Sequence, residues 1–126
     1  MMFQYEGLDH VQLAAPKNCE ARARAFYQDV LGFVEKEKPV PLKARGGVWF
    51  QAGIVQIHIG VEEGFIPARK AHPAIRVRYI DRLKERLDNN HKVYIEDEHL
   101  PGANRFYTED PFGNRLECIE WENKNG

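Results

Sequence analysis

Residues 8–32, LDHVQLAAPKNCEARARAFYQDVLG, carry the pattern on which the fold turns. At the start, Leu8, His10, Gln12 and Ala14 alternate with Asp9, Val11 and Leu13, the period-two signature of a strand. Pro16 closes that strand, and Asn18 is placed to cap a helix. Ala23, Phe26, Tyr27, Val30 and Leu31 then recur at helical spacing, so residues 18–31 are predicted as an amphipathic helix that Gly32 ends at its C′ position.

The same order continues outward from this unit. Residues 33–38 predict a strand with an exposed charged face, and Pro39, Pro41, Gly46 and Gly47 predict a long mobile flap. Residues 47–51 and 54–59 predict two further strands around a turn at Ala52 and Gly53. Beyond a linker containing Gly64 and Pro67, a strand over 72–78 precedes a helix capped by Asp81, with Leu83 and Leu87 inward. Strands centred on 93–95, 105–107 and 116–119 follow, separated by Pro101-Gly102 and by Asp110-Pro111-Phe112-Gly113-Asn114. The β-α-β-β-β order therefore occurs twice. Halves this short cannot each bury a sheet face, so they are expected to pack as one pseudo-twofold α+β domain over residues 1–126. Module 1 is expected at about 5–60, the linker at 61–71 and module 2 at 72–122.

Composition removes several classes of function. With 43% hydrophobic and 29% charged residues, the chain can bury a core and solvate its surface. Its 18 Lys and Arg against 19 Asp and Glu give a net charge of -1, without the basic excess that nucleic-acid binding needs. Cys19 and Cys118 have neither CxxC spacing nor the density of a disulfide scaffold, which points to a reducing, cytoplasmic setting. No apolar run approaches the ~20 residues that cross a bilayer, so no membrane partner is expected.

Registering the halves brings out a candidate site. His10 and His72 each open the first strand of their half; Gln56 follows the first by 46 positions and Glu117 follows the second by 45. Two imidazoles and a carboxylate on one face suit a divalent first-row metal with coordination positions left open for chemistry. Gln56 is the fourth candidate by register. His58, two residues on and therefore on the same strand face, is the fourth by donor strength. His91 and His99 lack such register and are assigned to exposed loops. Trp49, Phe50, Phe106, Tyr107 and Trp121 are assigned to core or interface. Arg45, Arg105 and Arg115 are assigned to the solvated surface, with binding of an anionic substrate as the alternative.

Three segments resemble the vicinal oxygen chelate superfamily, which includes glyoxalase I, fosfomycin-resistance thiol transferases, bleomycin-resistance binding proteins and extradiol dioxygenases. They are Leu8-Asp9-His10-Val11, residues 25–33 (AFYQDVLGF) and residues 110–117 (DPFGNRLE). The resemblance implies paired βαβββ modules whose mixed sheet curls around a cleft, and two chains associating as a homodimer. It implies that His10, His72 and Glu117 hold a divalent ion such as Zn, Ni, Mn or Fe. Gln56 stands where glyoxalase I has a glutamate, which turns the expectation toward thiol-transferase or related lyase chemistry on a small oxygen-rich or electrophilic substrate, with a low-molecular-weight thiol as a co-substrate. Glu117 and His58 are the expected proton-handling residues. The expectation from another class is a metal-free drug- or metabolite-binding resistance protein of the bleomycin-binding type.

Overall fold

The structure, a computed structural model, describes residues 2–122; the outermost residues of the 1–126 span lie outside the described residues. The first half comprises β1 (Val11–Ala15), α1 (Glu20–Ala23), β2 (Val34–Lys36), α2 (Val40–Lys43), β3 (Val48–Ala52) and β4 (Val55–Val61). The second comprises β5 (Ala74–Arg76), α3 (Ile80–Asn89), β6 (Tyr94–Asp97), β7 (Ala103–Glu109) and β8 (Arg115–Trp121). Two four-stranded mixed sheets result, ordered β1-β4-β3-β2 and β5-β8-β7-β6, each with one parallel pair and two antiparallel pairs. The fold is thus α+β and doubled as expected, and the sheets do not close on each other.

One face of each sheet is sealed. In the first, Val48, Phe50, Ile57 and Ile59 lie under Phe26 and Tyr27, whose ring stacks on Phe50 at 5.3 Å. In the second, Phe106, Leu116 and Cys118 pack with Ile80 and Leu87 of α3 into the same core. Strand pairing then places Gln12, Trp49, Gln51, Gln56 and His58 on the opposite face of sheet one, and Arg105, Tyr107, Arg115 and Glu117 on that of sheet two.

Several boundaries differ from the sequence reading, each for a local reason. Asn18 does not cap a helix: it has φ +65°, and Cys19 occupies the N-cap without a side-chain bond. After one α turn the helix winds as a π-helix over Arg24–Gln28, with the Asp29 N–H donating to the Arg24 carbonyl and Leu31 to Phe26. The wider turn lets the adjacent rings of Phe26 and Tyr27 both reach the core. The flap expected near Pro39 and Pro41 contains α2, because proline is at home in a helix's first turn, where no intrahelical N–H bond is lost. The turn between β3 and β4 lies at Gly53 and Ile54, one residue beyond the prediction. Asp81 sits in the first turn of α3, but the N-cap is Tyr79 at φ +62°, with Glu120 accepting the Tyr79 and Ile80 N–H groups at 2.7 and 3.3 Å. Gly47, at φ +88°, must be glycine, since a Cβ there would lie 2.1 Å from the Ile59 carbonyl oxygen.

Candidate functional site

Both expected histidines sit just ahead of their first strands, His10 one residue before β1 and His72 two before β5. The Glu117 N–H donates to the Pro73 carbonyl at 3.0 Å and so extends the β5–β8 ladder back toward His72. The Nδ1 of His72 lies 2.7 Å from the Lys70 carbonyl oxygen. A carbonyl only accepts, so Nδ1 carries the hydrogen and Nε2 turns to Glu117, whose Oε1 is 2.9 Å away. Glu117 is buried; its Oε2 accepts from Arg105 Nη1 at 3.3 Å, while Arg105 Nη2 donates to Asp97 at 3.3 Å. The His99 N–H, followed by the Arg105 charge, holds the Asp97 carboxyl below its ordinary range.

Sheet one carries the matching pair. His10 Nδ1 lies 2.8 Å from Asp9 Oδ1, a bond that lowers the pKa of Asp9. The His10 ring stacks on His58 at 4.1 Å, and His58 stacks in turn on Trp49 at 4.0 Å. His58 is only 5% exposed and its buried Nε2 has no hydrogen-bond partner. Burial first, then the nearby His10, lowers the pKa of His58 and favours the neutral ring.

The ladders correct the register assigned to Gln56. The 62-residue offset from His10 to His72 also relates Gln12 to Ala74; Gln12 pairs with His58, and Ala74 with Glu117. Across the antiparallel pairs, His58 faces Trp49 and Glu117 faces Tyr107. His58, rather than Gln56, is therefore the structural counterpart of Glu117. Counting from His10 missed this because the connection from β1 to β4 is three residues longer than that from β5 to β8: Gln12 and His58 are 46 apart, Ala74 and Glu117 are 43.

His72 and Glu117 come together in sheet two, His10 and His58 in sheet one. Among the described residues of one chain, no group of three His, Cys, Asp or Glu gathers as a metal site. His91 and His99 are exposed, as expected. Arg105, assigned by sequence to the surface, is committed to Glu117 and Asp97. A free Nε2 lone pair and a carboxylate oxygen 2.9 Å apart repel unless a proton or cation lies between them. Adjacent nitrogen and oxygen ligands on one ion, each bonded at about 2.1 Å, also sit roughly 3 Å apart. The His72–Glu117 pair fits a divalent cation, as does the unpartnered Nε2 of His58, while the backbone bond to His72 Nδ1 is the outer support a metal-ligating imidazole normally has.

The model of the Glyoxalase/Bleomycin resistance protein/Dioxygenase superfamily matches residues 7–118. The chain belongs to this superfamily. A crystal structure from Bacillus anthracis, provisionally assigned to the glyoxalase family, is 49% identical over 97% of this chain and 100% of its own, with a TM-score of 0.94. Lactoylglutathione lyase from Agrobacterium tumefaciens (20% identity, 92% and 94% covered, TM-score 0.72) shares the fold. So does the genomically encoded fosfomycin resistance protein FosX from Listeria monocytogenes (17% identity, 93% and 94% covered, TM-score 0.73). None of the curated proteins matches the chain. Superfamily members commonly use a divalent metal and bind small molecules. No helix among the described residues is long and apolar enough to cross a membrane.

The residues that sequence reasoning missed are Arg105, which neutralises Glu117, and the clasp formed by Asp110 and Asn114. Tyr27 donates to Asp110 Oδ2 at 2.7 Å, and Asn114 Nδ2 donates to the Ala14 carbonyl at 2.8 Å, tying the second module's turn to the first module. In sequence the DPFGN segment reads as a turn and as part of the 110–117 resemblance, and neither reading assigns its side chains to a clasp between the modules.

Proposed function

We propose that this protein is a divalent-metal-dependent enzyme of the superfamily that acts on a small oxygen-rich or electrophilic molecule by lyase, isomerase or thiol-transferase chemistry. The observation that carries this reading is the pair His72 and Glu117: one nitrogen is fixed to a backbone carbonyl, and the other converges with a buried carboxylate oxygen at 2.9 Å. His10, His72 and Glu117 would hold the ion, with His58 in the place first given to Gln56. When bound, such an ion supplies a Lewis acid that polarises a substrate oxygen. Arg105 orients Glu117 through its bond to Oε2, and the backbone bond fixes the His72 ring. Where the reaction moves a proton, Glu117 Oε1 and the neutral His58 Nε2 are the groups placed to accept it.

The two pairs lie on separate sheets, so we infer that the working unit is a homodimer in which the His10–His58 pair of one protomer meets the His72–Glu117 pair of its partner. Free, buried Cys19 and Cys118 agree with a cytoplasmic setting. One specific feature favours a second reading: a proton shared between His72 Nε2 and Glu117 Oε1 satisfies that pair, and Asp97 balances Arg105, so the four side chains are charge-compensated with no cation, as a metal-free binding protein would need.

Elemental analysis of protein purified without chelator separates the two. The enzyme reading expects roughly one divalent ion per chain, with affinity down at least 10–100-fold in His72→Ala and Glu117→Gln. Full metal content in both variants, or none in the parent after metal supplementation, would overturn it and leave the binding reading. Turnover of methylglyoxal or fosfomycin with glutathione or bacillithiol then identifies the substrate.

A further inference from the structure

Arg115 is a cation on the cleft face of sheet two that the proposed site does not use. It lies on β8 two residues before Glu117, on the same face, which places the two Cα atoms about 7 Å apart. Its guanidinium lies over the Tyr107 ring at 4.2 Å, and the other side of the constellation is His72, whose ring meets Tyr107 edge-on at 5.4 Å. With those two contacts end to end, the guanidinium carbon is no more than about 10 Å from the His72 ring. Arg115 borders both a trough of about 1040 Å³ over β6 and β7 and a smaller pocket of about 480 Å³ that contains His72.

Among the described residues, the Arg115 side chain makes no hydrogen bond or ion pair. Glu109 is its cross-strand partner, yet no ion pair within 4 Å forms between their side chains. The neighbouring acids are engaged elsewhere: Asp97 with Arg105, Glu96 with Lys84, and Asp110 with Tyr27, Asn114 and the turn backbone. A guanidinium stacked on a ring face keeps its N–H fork free at the edge and is held still by the stacking, the arrangement that suits bidentate capture of an oxyanion. The Tyr107 hydroxyl, also without a partner among the described residues, adds a donor. Glu98 and Glu109 at the trough's rim keep the local field from being strongly positive. Such a site selects one compact anionic group and repels a polyanion.

We propose that Arg115, seated on Tyr107, is a binding subsite for a single carboxylate or phosphate-type group of the substrate. This rests on the reading that His72 and Glu117 mark the reacting centre, and it narrows the substrate class to short molecules with an oxyanion at one end and the reactive oxygen or electrophilic carbon a few bonds away. Arg115 is here a specificity-determining residue; it takes no part in the bond-making step.

Calorimetric titration of chelator-treated, metal-free protein tests this apart from catalysis, using malonate, 2-phosphoglycolate and neutral malonamide as probes. At least one of the two anions is expected to bind and malonamide is not; whichever anion binds distinguishes a carboxylate from a phosphate partner. Arg115→Gln should weaken that binding about 10-fold or more and Arg115→Lys less, whereas Tyr107→Leu should weaken it by removing the stacking surface. Circular dichroism melts of each variant guard against loss of fold. Binding that is equal for malonate and malonamide, absent for both anions, or unchanged in Arg115→Gln overturns the subsite. Divalent-ion content of Arg115→Gln should equal that of the parent. A parent that binds anion but never metal would refute the enzyme reading while the subsite stands.

Discussion

His58 shows how neighbouring rings decide what an imidazole can do. It is held between Trp49 and His10, nearly shut off from water, and its pKa is lowered by that burial and then by His10. An unfolded His titrates near 6.5 and the folded one lower, so below that pH the unfolded chain takes up the proton first. The stability contributed by a neutral His58 is therefore complete above about pH 6.5 and is lost as the pH falls toward the folded value. Urea titrations of the metal-free protein from pH 7.5 to 5.5 should show a steeper fall in the parent than in His58→Phe, which keeps the stacked ring without the titrating nitrogen. Parallel curves for the two proteins would mean that His58 is not held neutral by its surroundings. Contributions from groups that do not interact with His58 are common to both proteins and cancel in the difference.

At the level of elements, the 110–114 turn does more than reverse the chain between β7 and β8. Asp110 Oδ1 accepts the N–H groups of Phe112 and Asn114 at 2.9 Å each, its Oδ2 accepts from Tyr27 and Asn114, and Asn114 reaches across to Ala14. Burial and the Asp110 charge raise the Tyr27 hydroxyl well above its usual range, so it stays a donor. Asn114→Ala removes two side-chain bonds, one to the Ala14 carbonyl and one to the Asp110 carboxylate, at a cost of about 2–3 kcal/mol; Tyr27→Phe costs about 1–2 kcal/mol. Chemical denaturation measures both, and a loss in Asn114→Ala no greater than about 0.5 kcal/mol, that of an ordinary surface change, would remove the clasp. Strand alternation made β3, β4 and β8 legible, because one face of each packs on the core while the other faces the cleft. The π turn, the left-handed residue Asn18, the left-handed cap at Tyr79, and α2 were not, because tertiary packing and cap geometry set them and no local propensity announces them.

For the whole molecule, three of the four cleft residues could be found from the doubled pattern, and His58 only from its donor strength and strand face, but not how they pair. His10, His72 and Glu117 were picked out by register; their division into a His10–His58 pair and a His72–Glu117 pair depends on which sheet faces which, a matter of assembly that one chain's periodicity does not encode. Surface chemistry bears on that assembly. Phe3, Tyr5 and Leu8 ahead of β1, with Val34, Ile95 and Trp121 on the strands, are large apolar side chains left exposed and available to a partner surface. A dimer that joins opposite sheets makes a prediction that depends on geometry alone. In a mixture of His10→Ala and Glu117→Gln chains, each mixed dimer has one site carrying both substitutions and one carrying neither. Each variant alone should be metal-poor, while chains unfolded together and refolded should recover up to one ion per mixed dimer, measured by elemental analysis after gel filtration. A site confined within single protomers would show no recovery at any mixing ratio. Recovery that tracks the fraction of mixed dimer would place the two half-sites on different chains.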